Sequence, residues 1–196
     1  MSRDAAFPRL VSLACHDLRT PLATVSGFAH TLERLDDLAP PADRYVRMML
    51  DAAGEMAELL DLLGLLARIE AGRYEPTAVE ADTLELANSV AARLGEERVQ
   101  VTGQGGAVAI DPKPAERAVY GLVRCALRHG GLDRVGVEAD GTRVTVTPIT
   151  EAAAPIVTGQ DMRDLGAAVG MRVVAALGGS AELKGETLVV RLRSAD

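Results

Sequence analysis

The chain has 196 residues, of which 48% are hydrophobic, 25% charged and only 3% aromatic. Its 21 basic and 28 acidic residues give a formal charge of −7, which disfavours nucleic acid, and the lack of Trp removes stacking platforms for bases. The apolar content excludes disorder, no apolar run is long enough for a membrane span, and MSRDAAFPRL lacks a signal-peptide core. A soluble cytoplasmic protein of one ordinary domain or two small ones is expected.

Residues 4–36 read as one helix, with Leu10, Leu13, Ala14, Leu18, Leu22, Val25, Phe28 and Leu32 recurring in steps of three and four. The polar turn DDLAPPAD follows, in which Pro40 and Pro41 end one helix and start the next. A second helix is expected over 43–71, capped by Gly72, and the short connection makes the two an antiparallel hairpin. Leu13, Leu18 and Leu22 are expected to serve the bundle core. A lone hairpin cannot cover its apolar stripes, so pairing into a four-helix bundle, and hence a homodimer, is expected. After a short stretch at 73–81 the pattern changes. It predicts a helix over 82–95, strands over 98–102 and 107–110, and a helix over 113–129. A hairpin of strands 135–139 and 143–147, a helix over 161–177 and a second hairpin to the end complete it. The expected fold class is α+β, a helical hairpin over 1–75 followed by an α/β sandwich over 76–196 with helices on one face of a mixed sheet.

The sharpest motif is SLACHDLRTPL, residues 12–22. Its His followed by Asp, then Arg and Thr-Pro, resembles the H-box of the dimerisation and histidine phosphotransfer domain of sensor histidine kinases. The resemblance runs over roughly residues 5–75, including RIEAG at 68–72. It implies that His16 is the phospho-acceptor. A phosphoryl group is taken by a neutral, accessible imidazole nitrogen. Asp17 would orient the ring or take its proton, and Arg19 would neutralise phosphoryl charge. Thr20 lies one turn along the same helical face, and in the family the residue there positions the water that dephosphorylates a partner response regulator. His30 reads as a surface residue and Cys15 as a small packing residue. The two cysteines, Cys15 and Cys125, have the spacing of neither a disulfide framework nor a zinc site.

The order of elements from Asp82 to Arg193 resembles the Bergerat-type ATP-binding domain of the same kinases, with its site erased. In AERAVYGLVRCALRHG, residues 115–130, Gly121 and Cys125 stand where that family places magnesium-ligating Asn residues. The Asp-x-Gly-x-Gly box is missing from TRVTVTPITE, residues 142–151. In RDLGAAVG, residues 163–170, Gly166 survives but Asp164 replaces a phosphate-cradling Gly. About 13 residues between Thr147 and Asp161 are too few for an ATP lid. The resemblance is thus to the small dimeric histidine phosphotransferases of bacterial phosphorelays, with receiver domains of response regulators as partners. No cofactor or metal of its own is expected, the receiver supplying Mg²⁺. A sensor-type histidine autokinase with an atypical nucleotide site is the alternative, followed by a non-catalytic pseudokinase scaffold or a response-regulator phosphatase. At this length no room for a sensor is expected.

Overall fold

A computed structural model describes residues 3–34, 38 and 40–195. The chain divides into two compact units, Met1–Arg73 and Tyr74–Asp196.

The first unit is a pair of packed helices, α1 (Arg3–Glu33) and α2 (Pro40–Glu70). Helix α1 runs unbroken through Pro8 and Pro21. Residues 35–37 and 39 of the connecting turn lie outside the described residues. Helix α2 stops because Gly72 takes up a left-handed backbone (φ 62°) that a side chain resists. The amides of Gly72 and Arg73 then turn back onto the carbonyls of Ile69 and Arg68.

The seam of the hairpin is made of small and medium residues: Cys15, Ala29, Val46, Ala53, Leu60, Leu65 and Ala67 are buried. Leu13 and Leu18, expected in the core of a paired bundle, lie outside this seam. Within one chain they are 57% and 55% exposed, and Leu22 is half-buried. Two helices in close contact bring their smallest side chains to the line of contact and push the large ones to its flanks. Phe7, Leu10, Val25 and Phe28 are likewise more than half exposed, so α1 carries an apolar stripe that its own hairpin does not cover.

The second unit contains a five-stranded sheet in the order β2-β4-β5-β7-β6 and a two-stranded pair β1-β3. The strands are β1 (Val79–Asp82), β2 (Val99–Gly105), β3 (Ala107–Ile110), β4 (Val135–Asp140), β5 (Arg143–Thr147), β6 (Ser180–Lys184) and β7 (Thr187–Arg191). Only β2 and β4 run parallel; the other neighbours are antiparallel, so the large sheet is mixed. Helices α3 (Thr83–Leu94), α4 (Pro112–Gly130), α5 (Ala154–Val157) and α6 (Leu165–Ala176) complete the unit. Alternation along the strands explains the layering. Val135, Val137 and Ala139, then Val144 and Val146, then Leu188 and Val190 are buried, while Glu138 and Asp140 between them are exposed. Leu86, Ala87 and Val90 of α3 and Ala118, Leu122 and Ala126 of α4 supply helical core residues at helical spacing. Each fully buried Val or Leu contributes about 1.5–3 kcal/mol relative to exposure.

Three elements differ from the pattern, one of them the single turn α5, which it does not predict. Strand β1 falls in the stretch left unassigned at 73–81. The last long helix begins at Leu165 rather than at 161, because Asp164 is extended (φ −123°, ψ 111°) and its side chain accepts the amide of Ala167.

Candidate functional site

The phosphotransfer candidates lie on the middle of α1. The His16 imidazole is 79% exposed, with Nδ1 3.2 Å from Oδ1 of Asp17. A carboxylate only accepts, so the bond places a proton on Nδ1 and, in the neutral ring, leaves the lone pair on Nε2. That is the tautomer a nucleophilic nitrogen needs. Both partners are open to water, so Asp17 biases the ring without fixing it.

His16, Arg19, Thr20, Ala23 and Thr24 line an open groove of about 560 Å³. Every one of these residues comes from a single helix face, as spacings of three and four dictate. Thr24 turns its hydroxyl back onto the Thr20 carbonyl at 3.1 Å. Arg19 is engaged across the hairpin: its guanidinium donates to Oδ1 of Asp61 on α2 at 2.8 Å. Sequence spacing did not point to Asp61, which is 42 residues away and joins Arg19 only once the helices pair. His30 is 58% exposed beside Glu33, and Cys15 is buried in the seam.

The second region is the junction of α4 with the N-terminus of α6. A helix start presents unpaired amides that attract anions. Here the amides at the start of α6 already have a carboxylate: Oδ1 of Asp164 accepts from Ala167 N at 3.0 Å. Its other oxygen, Oδ2, is 3.1 Å from Nε2 of His129 on α4. Asp164 is 4% exposed, so this carboxylate is part of the interior. The two helices also approach at glycines. A Cβ built on Gly121 would lie 2.5 Å from the Gly166 carbonyl oxygen, a separation atoms do not tolerate. Between β5 and α6, Ile149, Ala153, Ile156 and Val157 are buried, so the segment at the position of a lid is folded into the core.

Cys125 completes this region. Burial, with the negative charge of Asp164 adding to it, pushes its thiol up to about 12, only partly offset by Arg124. A thiol so poor in thiolate is a weak nucleophile. In the native protein neither Cys125 nor the buried Cys15 is expected to react with an aromatic disulfide reagent at pH 8, whereas unfolding in denaturant releases two equivalents. Rapid modification of either without denaturant would contradict this environment.

Comparison with known proteins bears on both regions. The sequence pattern of the His Kinase A (phospho-acceptor) domain family matches residues 9–72. That match spans most of the first unit and about a third of the chain. A curated relative, the phosphate regulon sensor protein PhoR of Pseudomonas aeruginosa, is 33% identical over 110 residues. The match covers 54% of this chain and 23% of PhoR, so the chain spans about a quarter of that relative's length. Among solved structures, full-length ShkA in complex with AMPPNP aligns over 96% of this chain and 47% of its own, with TM-score 0.66 and 20% identity. The Acinetobacter baumannii histidine kinase AdeS aligns over 92% of this chain and 98% of its own, with TM-score 0.57 and 13% identity. At those identities the likeness is one of fold. The chain thus shares the fold of these structures over nearly its whole length, and the His Kinase A pattern matches within its first unit. Among the described residues, no helix is long and apolar enough to cross a membrane.

Proposed function

We propose that this chain is a histidine phosphotransfer protein in which His16 carries a phosphoryl group between aspartates of receiver domains, without ATP. Nε2 of His16 attacks the phosphorus of an aspartyl phosphate; the P–N bond forms as the P–O bond to the receiver aspartate breaks. The reverse step delivers the group to a second receiver. Asp17 holds the Nδ1 proton and steadies the positive imidazole that results, and Arg19, released from Asp61, neutralises phosphoryl oxygens. The receiver supplies the Mg²⁺ that transfer requires. The uncovered apolar stripe of α1, with Leu13, Leu18, Val25 and Phe28, supports association of two hairpins into a four-helix bundle.

The observation that carries the ATP-independent reading is the buried Asp164 carboxylate on the α6 N-terminus. A triphosphate would have to displace it or accept its repulsion. The alternative, a sensor-type histidine autokinase, is favoured by the comparisons: PhoR is named a sensor protein, AdeS a histidine kinase, and ShkA was solved with AMPPNP. The two readings part when the full chain is incubated with labelled ATP and Mg²⁺ alone. The proposal expects no label on His16. Stoichiometric labelling would establish the autokinase instead.

Thr20 provides a further test. If its hydroxyl positions water against a receiver acyl phosphate, Thr20→Ala abolishes dephosphorylation of the receiver and leaves phosphoryl transfer through His16 intact. Equal loss of both activities would assign Thr20 to the fold of the helix.

A further inference from the structure

Cys125, His129 and Asp164 lie outside the phosphotransfer groove, yet their ligating atoms come within 4.8 Å of one another. We propose that these three side chains form a zinc site at the junction of α4 with the start of α6. Cys125 and His129 are four residues apart on α4, so they point from one helix face, and Asp164 meets them from the N-terminus of α6.

Chemistry selects the ion. A sulfur, an imidazole nitrogen and a carboxylate oxygen form a mixed set that suits zinc, whereas magnesium and calcium demand oxygen. Tetrahedral zinc with bonds of about 2.0–2.3 Å sets its ligand atoms about 3.4–3.6 Å apart. The nitrogen–oxygen pair already stands at 3.1 Å, and the sulfur, within 4.8 Å of both, has at most about 1.3 Å to close. Binding displaces the thiol proton to solvent, and His129 coordinates through Nε2 as the neutral imidazole with its proton on Nδ1. A thiolate and a carboxylate then balance the two charges of the ion. Arg124 supports the thiolate through its nearby positive charge. Cys125 is fully buried, while the His129 side chain is 21% exposed, so the cluster lies at the edge of the core. Zinc there would pin α4 to α6, the two helices that frame the junction. The site shares Asp164 with the ATP-independent reading, but it needs neither His16 nor a receiver domain.

The test uses the full chain, stripped of metal, titrated with Zn²⁺ against a chromophoric chelator and with Co²⁺ as a spectroscopic probe. One equivalent per chain is expected, with a sulfur-to-cobalt charge-transfer band in the near ultraviolet and a raised melting temperature in zinc. Cys125→Ser should lose the band, and His129→Gln, altered at a partly exposed position that leaves the core intact, should weaken affinity at least tenfold. His30→Ala should change neither. Absence of the charge-transfer band in the wild type, or affinity unchanged in His129→Gln, would overturn the site.

Discussion

Replacing His16 by Ala is expected to reduce phosphoryl transfer to below detection while leaving receiver binding and stability unchanged. The loss is complete because the imidazole nitrogen is itself the site of bond formation. Stability is preserved because the ring is 79% exposed and supports no packing, which places the change within about 0.5 kcal/mol. Asp17→Asn should behave differently. The amide keeps a hydrogen-bonding oxygen near Nδ1 but loses the charge that steadies the imidazolium, so transfer slows without vanishing. Direct binding measurements on both variants, beside transfer assays, separate chemistry from docking. Loss of receiver binding in His16→Ala would mean that the ring is a docking contact rather than the reacting group.

Gly121→Asn is expected to destabilise the second unit by about 1–3 kcal/mol or more, and not to create nucleotide binding. The resemblance to kinase ATP domains suggests the opposite, that restoring Asn repairs a lost ligand. Packing decides the matter. Even a Cβ at this position would meet the Gly166 carbonyl at 2.5 Å and its carbonyl carbon at 2.7 Å, both backbone atoms that move only if α6 moves. Alanine-like relief of helix propensity, worth about 1 kcal/mol at a glycine, is too small to offset that overlap together with a buried amide. Gly170 shows the same closeness, with a Cβ meeting the Ala118 carbonyl at 2.8 Å, so the contact is distributed along both helices. Chemical denaturation of the variant measures the loss, and titration with an ATP analogue measures the absence of gain. A stable variant that binds nucleotide would show that α4 and α6 separate readily.

Much of this fold was written in local pattern. The apolar steps along α1 and α2, the Gly72 stop and the alternation in β4, β5 and β7 are each short-range signals, and each element formed where they indicated. What escaped was non-local. Strand β1 has no alternation of its own, since Val79 and Glu80 are exposed; it exists because β3 pairs with it. Helix α5 is a single turn, AlaProIleVal, too short to show a period. The seam within the hairpin gave no such signal, because contact between two helices is set by whichever side chains let the backbones approach, and small residues such as Cys15, Ala29, Ala53 and Ala67 carry little hydrophobic pattern. At the groove, His16, Arg19 and Thr20 were legible because one helix carries them all. Asp61 was not, because only tertiary pairing brings it to Arg19. The same holds at the α4–α6 junction. Cys125 and His129 share a helix face that sequence reveals, whereas Asp164 arrives from 35 residues beyond His129.

The central claim, that His16 is the phosphoryl carrier, is tested most directly by locating the phosphoryl group. The full chain is mixed with a phosphorylated receiver domain, quenched in alkali to preserve phosphohistidine, and mapped by mass spectrometry. One phosphoryl group per chain on His16 is the expected result, absent in His16→Ala. Phosphoryl transfer that maps to any other residue, or that persists in His16→Ala, would contradict it.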